Sequence, residues 1–425
     1  MNKIIKLGEY FNFLIANKLK NQRFKKTNNV DGVLFNLLYC QLNKSQDSII
    51  ADMNHLNANL LKNKLHFTRQ AIINRNNQFS VDYFKNIYDN ISRYIDINFY
   101  KNNNEYTVFA VDGTDCNLRS KLNEKQFALN KNENSITALN IGIYNVTKNS
   151  PVILELVKHK NERKAFVDFI NNTNNYSNNI FLFDRGFYSE NLINVLYKKQ
   201  MNFVCRLKKN SLLIKENLND NYVNINNNQL RIVSYKINKN KYYMATNLPA
   251  TDFDIDKIKQ LYHQRWAIEE FFKYIKSNFN FSNINILNED NIRKLIYNEL
   301  IIAKITEVII KYNKKKIKEN FIVNKHLLSD GLFKHFLPLF VHNKLNNKNI
   351  KSFMTNYISI IKSNKNNSNP RICVRPYKKW YYKQYQNKYK NDTLKNQLEN
   401  NINETLKTQF ENNKNIVHNK FIVCL

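Results

Sequence analysis

A change of hydrophobic period near residue 106 constrains the fold of this chain more than any other feature of its sequence. From there the chain carries three β-rich segments, YTVFAVD, SITALNIGIY and PVILELVKH, and then a helical segment, ERKAFVDFINN. NIFLFD has the pattern of a buried strand, and a helix starting near Ser189 and a further strand, NFVCRLK, follow it. Such alternation is typical of a sheet with helices packed on it. The order β-β-β-α-β-α-β therefore predicts an α/β domain.

Other parts of the chain follow different patterns. Residues 1–100 place apolar residues at three- and four-residue spacing, which predicts helices, one of them with Ser80 as its N-cap. Residues 209–250 are polar and Asn-rich with strand-like pieces, and we expect a β-rich insertion there. At these changes of pattern we divide the chain into a helical region at 1–100, an α/β domain at 101–300 and a helical, basic region at 301–425. The last region ends in an apolar stripe at four-residue steps: Leu394, Leu398, Ile402, Leu406 and Phe410.

The charge of the chain indicates a polyanionic partner. Lys and Arg number 66 against 34 Asp and Glu, which gives a formal net charge of +32. Neutralised phosphates release counterions, so such a chain gains sequence-independent affinity for DNA. Codon bias in an AT-rich genome is the alternative source of the Lys and Asn excess, although it leaves the low acidic count unexplained. The segment FTRQAIINRNNQF presents Arg69 and Arg75 on a polar face that could enter a DNA groove, or could simply be solvated.

Cysteine usage and hydropathy indicate the compartment. The five cysteines form no CxxC pair, which excludes a zinc ribbon and favours a reducing environment. The N-terminus carries charges throughout, unlike a signal peptide, and no apolar run is long enough to cross a bilayer. We therefore expect a soluble, intracellular, DNA-associated protein without a membrane partner.

Two aspartates occupy related positions in the predicted sheet. Asp112 ends the strand YTVFAVD before Gly113, and Asp184 ends NIFLFD before Arg185 and Gly186. Sites in α/β folds collect at the carboxyl ends of the strands, so the two carboxylates would share one cleft if their strands are neighbours. A strand-end aspartate can also simply cap the turn that follows it. Two of them in this topology favour a site.

A third acid lies on the helix predicted over residues 252–278. Within YHQRWAIEEFFKYIK, the spacing of Tyr262, Arg265, Glu269 and Lys276 is three, four and seven residues. At about 100° per residue these four fall within an arc of about 60° on one helix face. An acid among cations suits phosphate chemistry, because the cations can hold a DNA backbone. The alternative is a solvent face with an ordinary ion pair from Arg265 to Glu269.

Phosphodiester cleavage explains why three carboxylates would be grouped. The reaction needs charge stabilisation on both the attacking and the leaving oxygen, which two metal ions roughly 4 Å apart can supply. Mg²⁺ and Mn²⁺ prefer oxygen ligands, so carboxylates are the expected donors. The sequence therefore predicts a site for two Mg²⁺ (or Mn²⁺) ions at Asp112, Asp184 and Glu269.

These motifs resemble a known family. VDGTD, FLFDRGFYSENL and the spacing Y-x2-R-x3-E-x6-K are similar to the three signatures of insertion-sequence-4-type DDE transposases. The resemblance covers about residues 67–297, with weaker similarity in NPRICVRPYKKW. It implies a ribonuclease-H-like mixed sheet, a β-rich insertion before the last catalytic helix, and helical regions at both ends.

The resemblance also implies roles for residues. Asp112, Asp184 and Glu269 would hold the metal ions. Phosphates near the cleaved transposon end would be gripped by Tyr262, Arg265 and Lys276. Gly186 and Phe187 would shape the backbone beside the second acid. Family members cleave double-stranded DNA at transposon ends, often through a hairpin, join the 3′-hydroxyl to target DNA, and generally act as homodimers on paired ends.

Three positions leave a choice open. Asp115 lies three residues after Asp112, and Glu270 adjoins Glu269; we choose Asp112 because it ends the strand and Glu269 because it keeps the motif spacing. Trp266 could stack on an unpaired base near the DNA end. Packing in the core is the usual position of a large aromatic, and we favour that interpretation from sequence alone.

Three further functions compete with an active transposase. A transposase-derived DNA-binding protein that no longer cuts would have the same charge and fold, but the intact acid triad speaks against it. A metal-dependent nuclease of the same fold would cleave without strand transfer, and only a strand-transfer assay separates it from a transposase. A basic structural nucleic-acid protein would spread its charge over tails rather than carry ordered strands.

Overall fold

A computed structural model describes residues 2–19, 74, 76–100, 106–118, 136–173, 176, 179–214, 219–279, 281–284, 286 and 288–313, with a few isolated positions up to 361. All of them belong to one compact unit, Met1–Lys362. Arg69, Arg75, the apolar stripe from Leu394 to Phe410 and the segment NPRICVRPYKKW lie outside the described residues.

The described helices and strands follow the predicted order from residue 106 onward. The helices are α1 Asn2–Leu19, α2 Val81–Phe99, α3 Glu162–Asn171, α4 Glu190–Lys198, α5 Ile255–His263, α6 Trp266–Asn278 and α7 Glu289–Asn313. The strands are β1 Val108–Leu118, β2 Ile136–Asn145, β3 Ser150–Val157, β4 Ile180–Phe183, β5 Asn202–Arg206, β6 Asp220–Ile225, β7 Asn228–Ile237, β8 Asn240–Thr246 and β9 Asn283–Ile284, with a short pair formed by β10 Phe321–Ile322 and β11 Ile360–Ile361.

One mixed sheet organises these elements in the order β3-β2-β1-β4-β5-β8-β7-β6. β1, β2 and β3 form an antiparallel meander, whereas β4 and β5 run parallel to β1. This arrangement is the ribonuclease-H-like mixed sheet that the family resemblance implies. The β-rich insertion is also present, because β6, β7 and β8 extend the sheet antiparallel beyond β5 and precede α5.

Helices cover both faces of the sheet. On one face α2, α6 and α7 pack over β1, β2 and β3, and α5 packs over β4 and β5. On the other face α3 and α4 cover a core rich in phenylalanine that includes Phe166, Phe181 and Phe183. β4 is buried at every position because helices lie on both of its sides, which explains its continuous apolar sequence. None of the described helices is long and apolar enough to cross a membrane.

Local capping explains where several helices begin. The Ser80 hydroxyl accepts a hydrogen bond from the Tyr83 amide at 3.2 Å, as predicted, and the Ser189 hydroxyl does the same for Leu192 at the start of α4. Asp254 caps α5 through the amide of Lys257. These caps fix the start of α4 just after Asp184 and the start of α5 just before the predicted acid-bearing segment.

A buried arginine joins the insertion to the start of α5. Arg231 on β7 pairs with Asp220 on β6 at 2.6 Å and donates hydrogen bonds to the carbonyls of Leu248 and Phe253. Its side chain is 1% exposed, so the charge is compensated inside the protein. The insertion is thereby fastened to the segment that leads into α5.

Candidate active site

The sheet brings the two aspartates together. β1 and β4 are hydrogen-bonded parallel neighbours with Val111 opposite Phe183, so Asp112 and Asp184 follow at the same edge. Adjacent strands lie about 4.8 Å apart. Charge on Asp184 is close enough to raise the pKa of Asp112. The condition set by the sequence, that the two strands be neighbours, is met.

The prediction that the first strand ends at Asp112 is wrong. β1 continues without a break to Leu118, and Gly113 lies opposite Ile141 in the β1–β2 ladder. β2 supports β1 along this whole length, whereas β4 ends at Phe183, so β1 outruns its parallel neighbour. Asp112 therefore lies inside a strand, at the point where one of its two neighbours stops.

An arginine joins Asp112 to Glu269. Arg265 Nη1 lies 3.4 Å from Asp112 Oδ2, and Arg265 Nη2 donates a hydrogen bond to Glu269 Oε1. The Arg265 side chain is 10% exposed, while those of Asp112 and Glu269 are 21% and 28% exposed. One buried cation therefore bridges the strand acid and the helix acid, both of which are partly exposed to solvent.

The helix that carries Glu269 is interrupted, which corrects the prediction of one continuous helix over residues 252–278. α5 ends at His263 and α6 begins at Trp266, and the amides of Gln264 and Arg265 bond to carbonyls three residues back. Such i to i−3 bonds tighten the turn relative to an α-helix. The arc of about 60° calculated for an ideal helix therefore does not apply across Tyr262, Arg265 and Glu269.

A glycine lets α6 approach the sheet beside Asp112. Gly142 lies opposite Asp112 in the β1–β2 ladder. A Cβ at this position would lie 2.7 Å from Cζ of Phe272 and 3.4 Å from Cδ1 of Ile268, both on α6. The absence of a side chain at Gly142 therefore sets the distance between Glu269 and the strand that carries Asp112. β9, which follows α6, also pairs with the far end of β1.

The environment of Asp112 disfavours its charged form. Burial raises the pKa of Asp112 to about 6, with Asp184 and Glu269 acting in the same direction, while Arg265 and the Gly113 amide act against them. Several carboxylates crowded around one arginine therefore leave a deficit of positive charge. A bound cation would relieve it.

We predict that binding of Mn²⁺ to the wild-type chain weakens about tenfold between pH 7 and pH 5, because metal binding requires deprotonated Asp112. The stability of the metal-free protein depends on pH in the opposite direction. With its folded pKa raised, Asp112 contributes stability that is present below its unfolded pKa and is lost as pH rises through about 6. Calorimetric titration of Mn²⁺ at both pH values checks the prediction. Affinity that is unchanged over this range would contradict it.

The geometry is consistent with the choice of Asp112 over Asp115 and of Glu269 over Glu270. Asp115 is exposed, and because side chains alternate along a strand it points to the opposite face of β1 from Asp112. Glu270 accepts hydrogen bonds from Trp266 and Lys273 on the outer surface of α6. Asp112 and Glu269, by contrast, both contact Arg265.

Three of the residues predicted to hold DNA lie on α5 and α6, the two helices on either side of Arg265. The Tyr262 hydroxyl is buried and has no hydrogen-bond partner among the described residues. Trp266 is 51% exposed, so the expectation that it packs in the core is wrong. It begins α6, where its ring has only the Lys273 ammonium, at 4.7 Å, as a cationic neighbour in the described part of the chain. Lys276 is half-buried two turns after Glu269.

The donor set fits hard divalent cations, although the acids are not yet arranged around one. Within the described residues, no three side chains of His, Cys, Asp or Glu are assembled closely enough to hold a metal ion in this conformation. The Arg265 guanidinium lies between Asp112 and Glu269 instead, and its positive charge occupies the place that a metal ion would take. Oxygen donors are what Mg²⁺ and Mn²⁺ prefer. The residues present therefore fit such ions once Arg265 moves aside.

Two residues of this site were missed by the sequence analysis. Gly142 gave no signal, because its role depends on a helix more than one hundred residues later. Glu162 begins α3, and a Cβ at Gly113 would lie 2.6 Å from its Cδ and 2.7 Å from its Cγ. The available signal was an acid in the first turn of the helix that directly precedes the strand of Asp184.

The fold and these carboxylates define a ribonuclease-H-like domain with an acidic centre, and the comparisons with known proteins refine that class. Residues 103–303 match the family model described as "Transposase DDE domain". A protein of Synechocystis sp. named as a transposase for insertion sequence element IS4SA is 28% identical over 141 residues, which cover 31% of this chain and 42% of that relative. Residues 103–303 are therefore similar to transposase DDE domains, and the resemblance to insertion-sequence-4-type transposases is confirmed.

The chain has a weak similarity to a solved structure. The piggyBac transposase synaptic complex with hairpin DNA overlaps 87% of this chain and 85% of its own chain, at 10% identity and a TM-score of 0.45. A similarity at that level supports no conclusion of its own. The chain also spans less than half the length of the Synechocystis relative.

Proposed function

We propose that the chain is a DNA transposase that cleaves transposon ends and joins them to target DNA at Asp112, Asp184 and Glu269, with two Mg²⁺ or Mn²⁺ ions. The observation that carries the proposal is the convergence of β1, the end of β4 and α6, inside a transposase DDE domain, on three carboxylates with Arg265 between two of them. We also propose that residues 1–100 form a helical DNA-binding region, residues 101–300 the catalytic domain and residues 301–425 a helical, basic region.

The carboxylates and the cations have separate tasks. When bound, the metal ions would supply charge stabilisation to the attacking and leaving oxygens of the phosphodiester. Asp112 and Asp184 present oxygens from adjacent strands, and Glu269 closes the site from α6. Because the strands and the helix are packed by buried side chains, the backbones that carry the three acids are held in a fixed relation.

Cationic and hydroxyl groups beside the acids would hold the DNA backbone. Arg265 can donate two parallel hydrogen bonds to a phosphate when it leaves the carboxylates. The buried Tyr262 hydroxyl is a donor without an acceptor in the described structure, and a phosphate oxygen would satisfy it. Lys276 adds a positive charge on the same helix as Glu269.

Double-stranded DNA is the proposed partner. The net charge of +32 favours a polyanion, and Arg69 and Arg75 in region 1–100 are proposed to contact it. Two copies of the chain would bind paired transposon ends as a homodimer. We place this activity on DNA inside the cell.

Trp266 is proposed to stack on an unpaired base near the cleaved end. We predict that Trp266→Ala weakens binding of DNA with an unpaired terminal base about tenfold, since stacking contributes about 1–3 kcal/mol per base. Its stability should change little because the ring is 51% exposed. Fluorescence anisotropy with blunt and unpaired ends measures the effect, with Trp266→Phe as the matched aromatic control. Equal losses on both DNAs would count against stacking.

A strand-transfer assay tests the proposed function against a nuclease of the same fold. The chain is incubated with Mg²⁺, target plasmid and labelled terminal DNA from its own element that carries a free 3′-hydroxyl. A transposase is expected to give a joined product. Cleavage of flanked ends without any joining would instead identify a nuclease.

A further inference from the structure

An arginine continues the row of residues that the two aspartates begin at the edge of the sheet. Phe183 on β4 is paired with Cys205 on β5, a parallel neighbour. Arg206, the last residue of β5, therefore comes level with Asp184, just as Asp184 comes level with Asp112 on β1. Across three neighbouring strands the order is aspartate, aspartate, arginine.

Two aromatic rings hold the side chain of Arg206 on the face of the sheet that α5 covers. Val204, two residues earlier on β5, is buried in the core on that face, and alternate residues of a strand point the same way. The Arg206 guanidinium lies over the ring of Tyr242 on β8, with Cζ 4.8 Å from the ring centroid. Tyr242 is in turn stacked on Tyr235 of β7 at 5.8 Å. The insertion thus positions a planar cation beside the acids.

The charge of Arg206 is not neutralised within the described part of the chain. Its guanidinium makes no ion pair and no hydrogen bond with any residue there. Arg265 lies between two carboxylates, and Arg231 pairs with Asp220. A guanidinium that is stacked through its face keeps the N–H donors of its edge for a ligand.

A hydroxyl without an acceptor lies within electrostatic reach of the same arginine. The Tyr262 hydroxyl is buried and has no hydrogen-bond partner among the described residues, and its ring packs against the core that contains Val204. Burial raises the pKa of Tyr262, whereas Arg265 and Arg206 act to lower it. Unsatisfied N–H and O–H donors in one place, with positive charge on two sides, are what a phosphate needs.

We infer that Arg206, held on the Tyr242 ring, binds one backbone phosphate of the DNA that lies over Asp112 and Asp184. This inference rests on the proposed function and adds a contact from the insertion side of the site. Glu269 and Lys276 approach the aspartates from α6, whereas Arg206 lies beyond Asp184 on β5. The DNA strand would then be held on both sides of the acids. Because stacking orders the guanidinium in advance, binding a phosphate costs little side-chain entropy.

Removing one charge from the protein and one from the DNA tests this contact. Arg206→Gln removes the cation, and terminal DNA of the element with a neutral methylphosphonate at one backbone position at a time removes each candidate partner. The matched control is Lys241→Gln. Lys241 lies over the Tyr243 ring at 5.3 Å on the same insertion, but Tyr243 packs against the core on the opposite face of the sheet. Fluorescence anisotropy in EDTA gives DNA affinity without cleavage, and thermal unfolding gives stability.

Arg206→Gln is expected to bind unmodified terminal DNA about tenfold more weakly than wild type, because a charge-assisted hydrogen bond is lost. One methylphosphonate should weaken binding of wild type by a similar factor and that of Arg206→Gln hardly at all, since the same contact cannot be lost twice. At the other positions the two losses should multiply. Lys241→Gln should stay within about twofold of wild type.

The conservative variant Arg206→Lys keeps the charge but not the planar fork. It should recover part of the affinity that Arg206→Gln loses, because an ammonium holds a phosphate as a point charge. Should Arg206→Gln unfold below the assay temperature, the same series of methylphosphonates with Arg206→Lys decides the question.

Equal losses in Arg206→Gln and Lys241→Gln would reduce Arg206 to part of a diffuse positive charge and overturn the inference. A loss in Arg206→Gln that multiplies with every methylphosphonate would overturn it too, since no single phosphate would then be its partner. Cleavage by the wild-type chain in Mg²⁺ is measured separately. Its absence would overturn the proposed function, whereas the phosphate contact is measured from binding in EDTA alone, so the two failures are distinguishable.

Discussion

Asp184→Asn is expected to lower the rate of DNA cleavage by at least about 10³-fold while leaving DNA binding within about twofold. A metal ligand contributes several kcal/mol to stabilising the transition state, and each 1.4 kcal/mol is tenfold in rate. Binding rests on the positively charged surface instead, and asparagine keeps the shape of the side chain. Cleavage of flanked terminal DNA in Mg²⁺ and a gel-shift titration of the same DNA measure the two quantities.

A surface acid of the same domain provides the control for this substitution. Asp168 lies on α3 with its side chain 56% exposed and pairs loosely with His159 at 3.9 Å. Asp168→Asn should cleave like wild type, because the charge lies away from the cleft and exposed pairs contribute little. Cleavage by Asp184→Asn at a rate near that of wild type would remove Asp184 from the proposed metal site.

Gly142→Val is expected to lower cleavage about 100-fold and to destabilise the fold by about 1–3 kcal/mol. The new side chain would collide with Phe272 and Ile268 on α6, and overpacking of a core typically has that destabilising effect. Because α6 carries Glu269, the helix must shift away from the strand that carries Asp112. A misplacement of about 1 Å in a catalytic site can lower the rate about 100-fold.

A destabilising substitution elsewhere separates the two effects of Gly142→Val. Ile193 is a buried residue of α4, on the opposite face of the sheet from α6, and Ile193→Val should lower stability by about 0.5–1.5 kcal/mol. Its cleavage rate is expected to stay within about twofold of wild type at a temperature where both variants are folded. If Gly142→Val cleaved as fast as Ile193→Val, close approach of α6 would not matter for catalysis.

Local patterns in the sequence were sufficient to predict the order of strands and helices, and they predicted the proximity of Asp112 to Asp184 on the condition that the two strands are neighbours. Apolar runs such as residues 180–183 identify buried strands, and parallel neighbours follow from the β-α-β order. The N-cap at Ser80 and the start of a helix near Ser189 were predictable for the same reason, since each cap involves residues three apart.

Features that depend on contacts between distant residues were not predictable. The strand through Gly113 is maintained by β2, and the close approach at Gly142 involves α6, which is 124 residues or more away in the sequence. No proline or glycine lies at the break between α5 and α6, at Gln264 and Arg265, so the sequence gives no signal for it. Exposure of Trp266 likewise depends on where α6 meets the sheet. Each error came from using an ideal local geometry where tertiary packing decides.

Metal-dependent cleavage by the wild-type chain tests the central claim most directly. Labelled terminal DNA of its own element, with flanking sequence, is incubated with the chain in Mg²⁺, in Mn²⁺ or in EDTA. The proposed site predicts cuts at the element ends with either metal and none in EDTA. Tight binding of the DNA without cleavage in either metal would contradict an active transposase and identify a DNA-binding protein that retains the fold.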